Sequence, residues 1–339
     1  MVFILFLCGA GWLTYDTFYG GNHFPDGGTR VLFVSRGQSF GAIADSLEAA
    51  GIIRDRARFI FVGKMFGGTE RMQIGKYEFP SGASNLDIFL ALREGRGWLT
   101  IPVLLPEGTR ARRYAARLAR IIGTDSTRYM NLVNDERFAR SLGIGRKSLE
   151  GYLMPDTYNL MWQQNEESVI RFQVGEFWKT YGDSLRLRAQ EIGLSMHEVV
   201  TLASIIEGEV VLKHEAQRVS GVYHNRLKKG MPLQADPTIQ FFVDNGPRRL
   251  TYADLKVDHP YNTYRKKGLP PGPVNNPGRN SIRAALYPES HTYLYFVADG
   301  KGGHSFSTSY SEHMKHVRKF RRDRARREAT TNANQNQAR

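Results

Sequence analysis

The chain has 339 residues, and 47 Lys and Arg against 33 Asp and Glu give it a formal net charge of +14. That length accommodates two or three domains and a substantial core, while a single cysteine, Cys8, excludes an internal disulfide. The basic surplus points to an anionic partner (nucleic acid, anionic lipid or an acidic polymer), although no zinc-finger spacing or RNP-type aromatic motif supports nucleic acid.

Met1 to Tyr15 is almost wholly apolar, and a spanning helix needs about 20 such residues. Extending the run to Tyr19 brings in Asp16, so the segment is marginal as it stands. Residues 1–19 are read as a membrane anchor whose natural start lies upstream or whose basic leader is missing; a cleaved signal peptide is the rival, but its basic n-region is absent. No Lys or Arg occurs before Arg30, which fits an outward-facing body under the positive-inside rule. Trp12, Tyr15, Phe18 and Tyr19 would suit the outer interface. Residues 20–30 are Gly-rich and read as a linker.

From Val31 the pattern is strand, Gly turn, helix, with Ile43, Ala44 and Leu47 as the helix face. A second helix follows at Phe59 to Met65, and Lys76 to Phe79 is read as a returning strand. A related pattern returns at Thr100 to Gly123, where Gly108 corresponds to Gly37 and Leu118 to Leu47, as in a diverged internal repeat. Arg110, Arg112, Arg113, Arg117 and Arg120 cluster on its helix; they would meet anionic groups or simply form a solvated face. Glu166 to Tyr181 reads as a core helix, with Val169, Phe172, Val174 and Phe177 as its apolar residues.

The chain is organised around Ser195 to Pro237. Ser195 and Glu198 form a capping box at a helix start, and Val199, Leu202, Ala203, Ile206 and Val210 recur at helical spacing. On the helical wheel Glu207 falls on one shoulder of the apolar stripe. Glu209 falls about 160° away, near the other shoulder. Glu209 has Lys213 four residues on, the favourable order for an ion pair. Glu207 has no basic residue three or four positions away, and its neighbours are apolar or small. Burial disfavours the charged form of a carboxyl, which is how a Glu is kept protonated as a general acid. The plain alternative is a solvated residue on a helix shoulder.

Two polar clusters follow. Gln234 and Asp236 can hydrogen-bond sugar hydroxyls or an acetamido group, and Pro237 stiffens their loop. Tyr261, Asn262, Thr263 and Tyr264 precede the turn LPPGP; aromatic faces beside amides and hydroxyls suit carbohydrate, though an Asn/Thr turn with packed Tyr reads equally from the residues alone. Tyr293 to Val297 reads as a strand, followed by a Gly-rich turn. None of the nine His forms H-E-x-x-H, and no Walker or Rossmann spacing occurs. The tail from Lys315 carries much of the basic charge, and its polar, low-complexity end reads as disordered.

Several blocks in this order carry a resemblance: LEGYLMPDTY, ASIIEGE, VYHNRLKKGMPLQADPTIQF, HPYNTYRKKGLPPGPVNNPG and YLYFVADGKGGHSFSTSYSEH. Over about Val31 to Phe320 the chain resembles the endolytic murein transglycosylases, the YceG-like family. The resemblance implies an α+β protein: an inner-membrane anchor at 1–19, a linker at 20–30, a LysM-like subdomain at 31–80, a second β/α region at 81–148, a periplasmic catalytic domain at 149–320 and a basic tail at 321–339. It implies Glu207 as the catalytic acid/base. It implies substrate contacts from Glu150, Asn225, Gln234, Asp236, Thr238, Tyr261, Asn262, Thr263 and Tyr264, with Glu150 the only rival carboxylate. No metal or organic cofactor is implied. The partners would be peptidoglycan strands, the membrane and cell-wall synthases. Gly208 departs from the family pattern, where a larger polar residue is common, and would loosen the helix beside Glu207 by about 1 kcal/mol.

Two readings from other classes stay open at this point. One is a non-catalytic LysM-type adaptor that holds peptidoglycan; a zymogram separates it from an enzyme. The other is a basic nucleic-acid binder, which salt-dependent DNA binding surviving deletion of the tail would support.

Overall fold

The structure is a computed structural model, and it describes residues 2–68, 72–244, 246 and 248–337. In chain order the elements are α1 (Val2–Tyr19), β1 (Gly21–Asn22), β2 (Thr29–Val34), α2 (Phe40–Ala49), α3 (Arg56–Met65), β3 (Gly75–Pro80), β4 (Ala83–Ser84), α4 (Asn85–Glu94), β5 (Trp98–Leu99), β6 (Ile101–Leu105) and α5 (Ala111–Ile122). They continue as α6 (Ser126–Val133), α7 (Glu136–Ser141), β7 (Asp156–Leu160), α8 (Glu166–Thr180), α9 (Asp183–Glu191), α10 (Met196–Glu209), α11 (Ala216–Lys228), α12 (Asp236–Phe242), α13 (Arg279–Leu286), β8 (Tyr295–Ala298), β9 (His304–Ser307) and α14 (Tyr310–Gln337). The mixture of helices with small sheets is the expected α+β class. The chain forms two compact units that alternate in sequence: Met1–Leu104, Ala115–Ser126 and Thr157–Val169 in the first, and Leu105–Tyr114, Thr127–Asp156 and Ile170–Arg339 in the second.

In the first unit β2 and β3 pair antiparallel from Thr29 opposite Pro80 to Val34 opposite Gly75, and β5 extends the sheet from β3. The alternating side chains Leu32 and Val34 enter a core with Phe40, Ile43, Leu47 and Phe59. Ser39 and Asp55 cap α2 and α3 through side-chain oxygens, which satisfies helix-end N–H groups otherwise left without partners. The expected β-α-α-β order is therefore present.

The N-terminus carries more structure than an anchor followed by a linker would need. The 18 residues of α1 span about 27 Å at 1.5 Å per residue, and among the described residues no helix is long and apolar enough to cross a membrane. The end of α1 packs into the folded unit. Asp16 pairs with Arg58 at 2.7 Å, Asn85 Nδ2 donates to the Thr17 carbonyl at 3.0 Å, and Phe18 meets the rings of Phe61 and Phe66. Residues 20–30 are likewise built in: β1 pairs with β4, Asn22 Nδ2 donates to the Ala83 carbonyl, and Phe24 is buried. The Gly-rich composition conceals these two anchoring side chains.

In the second unit α10 packs against α9, α11, α12 and α13. Its capping box forms as expected: Ser195 Oγ accepts from the Glu198 N–H, and the Glu198 carboxylate accepts from the Ser195 N–H. Every residue from Val199 to Ile206 is buried, as befits a helix whose sequence is apolar or small on all sides. In α8, Val169, Val174 and Phe177 are buried as expected, but Phe172 is exposed because it falls off that stripe. β8 and β9 form an antiparallel hairpin, its turn held by Asp299 Oδ1 accepting from the Lys301 and Gly303 N–H groups. Helix α14 continues to Gln337, through the stretch that low complexity marked as disordered.

Candidate active site

Helix α10 emerges from the second unit's core at Glu207, directly after its buried run. The loop from Val274 to Gly278 is tied against that end of the helix. The Val274 N–H donates to Ser204 Oγ at 3.0 Å, and Asn275 Nδ2 donates to the Ser204 carbonyl at 2.8 Å. The Gly278 N–H donates to Glu207 Oε2 at 2.9 Å. Burial raises the pKa of Glu207; the Gly278 and Ser281 hydrogen bonds oppose that, the Glu107 charge adds to it and Lys213 subtracts from it. The net displacement is upward, the direction that retains a proton.

A cleft of about 410 Å³ opens beside this point. Its lining includes Gly108, Arg110, Arg112 and Arg113 from the start of α5 and the turn before it, Gly208 and Glu209 from the end of α10, Asp236, Gln240 and Phe241 from α12, and Asn275. Glu207 stands at its edge: a Cβ built on Gly108 would lie 3.4 Å from Glu207 Cγ. The backbone at Gly108 has φ of +68°, so the turn before α5 needs a glycine there.

The expectation for Glu209 is corrected. Helix α10 ends at Glu209, and Val210 is already extended, so the i,i+4 geometry with Lys213 does not exist. Lys213 instead pairs with Glu107 at 2.5 Å. Glu209 faces Asp236, and Tyr223 Oη donates to it at 3.2 Å. Burial and the Asp236 charge push its carboxyl up to about 8. Gly208 also has a reason absent from the sequence. A Cβ there would meet the Pro237 ring at 2.6 Å, so the glycine allows α12 to approach α10 and brings Asp236 into the cleft.

The other expected residues divide by position. Asp236 lines the cleft and accepts from Tyr264 Oη at 2.5 Å. Tyr261 stacks on Phe241 with ring centroids 4.4 Å apart, and the Arg110 guanidinium lies 4.2 Å from the Phe241 ring centroid. Thr238, Asn262 and Thr263 are buried. Thr238 donates to the Ala235 carbonyl and lies 2.8 Å from Thr263 Oγ1, while Asn262 Nδ2 donates to the Leu255 and Val257 carbonyls. These three shape the loops that carry Asp236 and Tyr264. Asn225 Nδ2 donates to the His291 and Tyr293 carbonyls, holding the segment that enters β8. Gln234 is exposed, with φ of +50°, and is not part of the cleft lining.

Glu150 accepts from the Ala111 N–H at 3.0 Å and from Asn276 Nδ2 at 2.9 Å. Burial pushes its carboxyl up to about 7, against the Ala111 N–H, the Arg110 charge and the Asn276 amide. It braces the start of α5. Asn276, which sequence reasoning did not single out, is fully buried and joins four partners: its Oδ1 accepts from Gly151 and Leu153, and its Nδ2 donates to Thr109 and Glu150. The signal for it was the Asn-Asn-Pro-Gly run, which combines amide side chains with a fixed turn. Of the arginine cluster singled out on the α5 helix, Arg110, Arg112 and Arg113 line the cleft, and Arg117 and Arg120 are not part of its lining.

The fold and the cleft define an α+β protein in which a buried helix delivers carboxyl groups of raised pKa to an open, polar and aromatic groove. The chain belongs to the YceG-like family, whose model matches residues 32–319. It is 31% identical to the endolytic murein transglycosylase of Bacillus subtilis, over 85% of this chain and 83% of that protein. It is 25% identical to the endolytic murein transglycosylase of Streptococcus pneumoniae strain R6, over 94% of this chain and 63% of that protein. A crystal structure of a YceG-like protein from Listeria monocytogenes superposes with a TM-score of 0.61 at 30% identity, over 85% of this chain and 98% of that one.

Proposed function

We propose that this chain is an endolytic murein transglycosylase that cuts the β-1,4 bond between N-acetylmuramic acid and N-acetylglucosamine within glycan strands. Glu207 is its acid/base. The observation that carries the reading is the position of Glu207 at the exposed end of a buried helix, beside the cleft, with its pKa displaced upward. The names of the Bacillus and Streptococcus relatives point the same way.

Glu207 protonates the leaving glycosidic oxygen as its bond to C1 of muramic acid breaks. The muramic acid C6 hydroxyl then forms the new bond to C1 and gives its proton to the Glu207 carboxylate, which restores the acid. The 2-acetamido carbonyl stabilises the cation that develops at C1. No water is consumed, and the product ends in 1,6-anhydro-N-acetylmuramic acid. Most glycosidases use two carboxylates at fixed separation, but an internal hydroxyl needs only one, and intramolecular attack is favoured over attack by water. Asp236, Tyr261 and Tyr264 would receive the sugar edges and faces.

The rest of the assignment belongs to the same proposal. Helix α1, with whatever precedes it, associates with the inner membrane and holds the catalytic unit on the periplasmic side. The β-α-α-β region acts as a LysM-like glycan holder, and cell-wall synthases supply the nascent strands whose elongation the cut ends. Digestion of purified murein in heavy-oxygen water tests the chemistry. Unlabelled anhydro ends are expected; label in new reducing ends would show hydrolysis.

A second reading rests on Glu209. It lines the cleft beside Asp236 and holds its proton up to about pH 8, so it is placed to donate to a leaving oxygen. Both carboxyls accept two hydrogen bonds, Glu209 from Tyr223 and the Asp236 N–H and Glu207 from the Gly278 N–H and Ser281; Glu207 is preferred because it occupies the acid position in the ASIIEGE block that resembles the family's.

A further inference from the structure

Three arginines stand where helix electrostatics disfavours them. Arg112 and Arg113 lie in the first turn of α5, and Arg110 immediately precedes it. A helix N-terminus carries a partial positive charge, so cations there are destabilising, and mutual repulsion adds to the cost. Glu150 answers the helix end: it accepts from the Ala111 N–H and Asn276 Nδ2, and its charge acts on Arg110 and Arg112 without a direct ion pair among the described residues. Arg112 and Arg113 are exposed and line the cleft, and their guanidinium groups have no hydrogen-bond or ion-pair partner among the described residues. Arg110 lies over the Phe241 ring, 4.2 Å from its centroid, and donates to the Phe241 carbonyl at 2.8 Å; its buried Nε–H has no acceptor among the described residues. The arrangement leaves guanidinium groups without a salt-bridge partner among the described residues in the lining of the same cleft that holds Glu209 and Asp236.

We propose that the wall formed by Arg110, Arg112 and Arg113 is a carboxylate-binding subsite that takes the acidic substituent of a muramic acid residue while the sugar backbone lies along the Asp236 wall. The guanidinium plane pairs bidentately with a carboxylate, and neutral chitin-like chains carry no such group. The proposal rests on the murein reading and deepens it: the groove selects strands by their side groups as well as by their sugars. Two sources offer the same chemistry. One is the carboxylates of the peptide stem; the other is the lactyl carboxylate that is freed when a stem is removed.

The test compares the full-length wild type with Arg112→Gln/Arg113→Gln, both exposed positions whose replacement leaves the core untouched. The probes are uncross-linked murein strands bearing peptide stems and the same strands stripped by an amidase. Binding and cleavage are both measured. A charge-assisted hydrogen bond is worth about tenfold in affinity, so the double variant is expected to bind the strand type that carries the recognised carboxylate about a hundredfold more weakly, and the wild type's advantage should shrink as salt rises. If the stem is the source, stripped strands bind both proteins weakly. If the lactyl carboxylate is the source, the double variant loses affinity for stripped strands alone, and stem-bearing strands, whose lactyl group is tied up as an amide, bind both proteins alike. Equal binding of both strand types by both proteins overturns the subsite, and if the strands are still cut the murein reading survives that failure. Strands that bind in the expected pattern and are never cut uphold the subsite and overturn the lytic reading.

Discussion

The Gly278 backbone N–H donates to Glu207 Oε2 at 2.9 Å, so the proposed acid is held by a loop 71 residues away in sequence. That bond favours the carboxylate, yet burial outweighs it and the net pKa shift is upward. Lys213 and Glu107 act on the same group from the solvent side, the first lowering and the second raising its pKa.

A pH profile follows. An acid that must start protonated loses activity as pH rises through its pKa. The basic limb of kcat/KM is therefore expected above the ordinary Glu value of about 4.3. Lys213→Met removes the cation and leaves Glu107 unpaired, so both changes raise the Glu207 pKa and the basic limb moves to higher pH. A limb that stays fixed or moves down would mean that Glu207 does not set it.

Asn276→Ala should be costly although Asn276 touches no proposed substrate group. It removes four hydrogen bonds and leaves Gly151, Leu153, Thr109 and Glu150 short of a buried partner. The expected loss is about 3 kcal/mol or more, measured by urea unfolding. A loss within the range of an ordinary surface substitution, about 0.5 kcal/mol, would show that these bonds are replaced.

Glu209 predicts a pH-dependent stability. In the folded protein it keeps its proton to about pH 8, whereas in the unfolded chain it ionises near about 4.3. Between those values the unfolded state binds fewer protons, so stability falls as pH rises and levels off above about 8. Below the unfolded value the two states are equally protonated and no loss remains. Glu209→Gln removes this contribution, so the stability difference between variant and wild type should widen from pH 5 to 8. Glu150, raised to about 7, leaves part of the decline in place. Parallel stability curves would contradict the buried, protonated state of Glu209.

The helix that carries the site was legible in the sequence because its start is encoded locally: Ser195 and Glu198 satisfy each other three residues apart. The two strands and two helices from Thr29 to Pro80 were legible for the same reason, since strand alternation and capping side chains are short-range signals. The environment of Glu209 was not. A wheel assumes that the helix continues, and α10 stops at that residue. The short β1 strand, the buried Phe24 and the Asn276 hub were hidden because each depends on partners more than 50 residues away. Of the expected contact residues, Asp236, Tyr261 and Tyr264 come together at or beside the cleft, while Thr238, Asn262 and Thr263 lie behind it. Amide and hydroxyl side chains read the same in sequence whether they meet a sugar or a backbone carbonyl.

The central claim is that Glu207 performs the acid/base work, and turnover of purified murein by Glu207→Gln and Glu209→Gln, with product masses read by mass spectrometry, tests it most directly. Gln keeps the shape and can still accept from Gly278, but it cannot give and retrieve a proton. Glu207→Gln is expected to fold, bind strands and lose about 10²–10⁴-fold in rate, while Glu209→Gln keeps its rate within about tenfold and still releases anhydro ends. An inactive Glu209→Gln beside an active Glu207→Gln would contradict the account and move the chemistry to the neighbouring carboxyl.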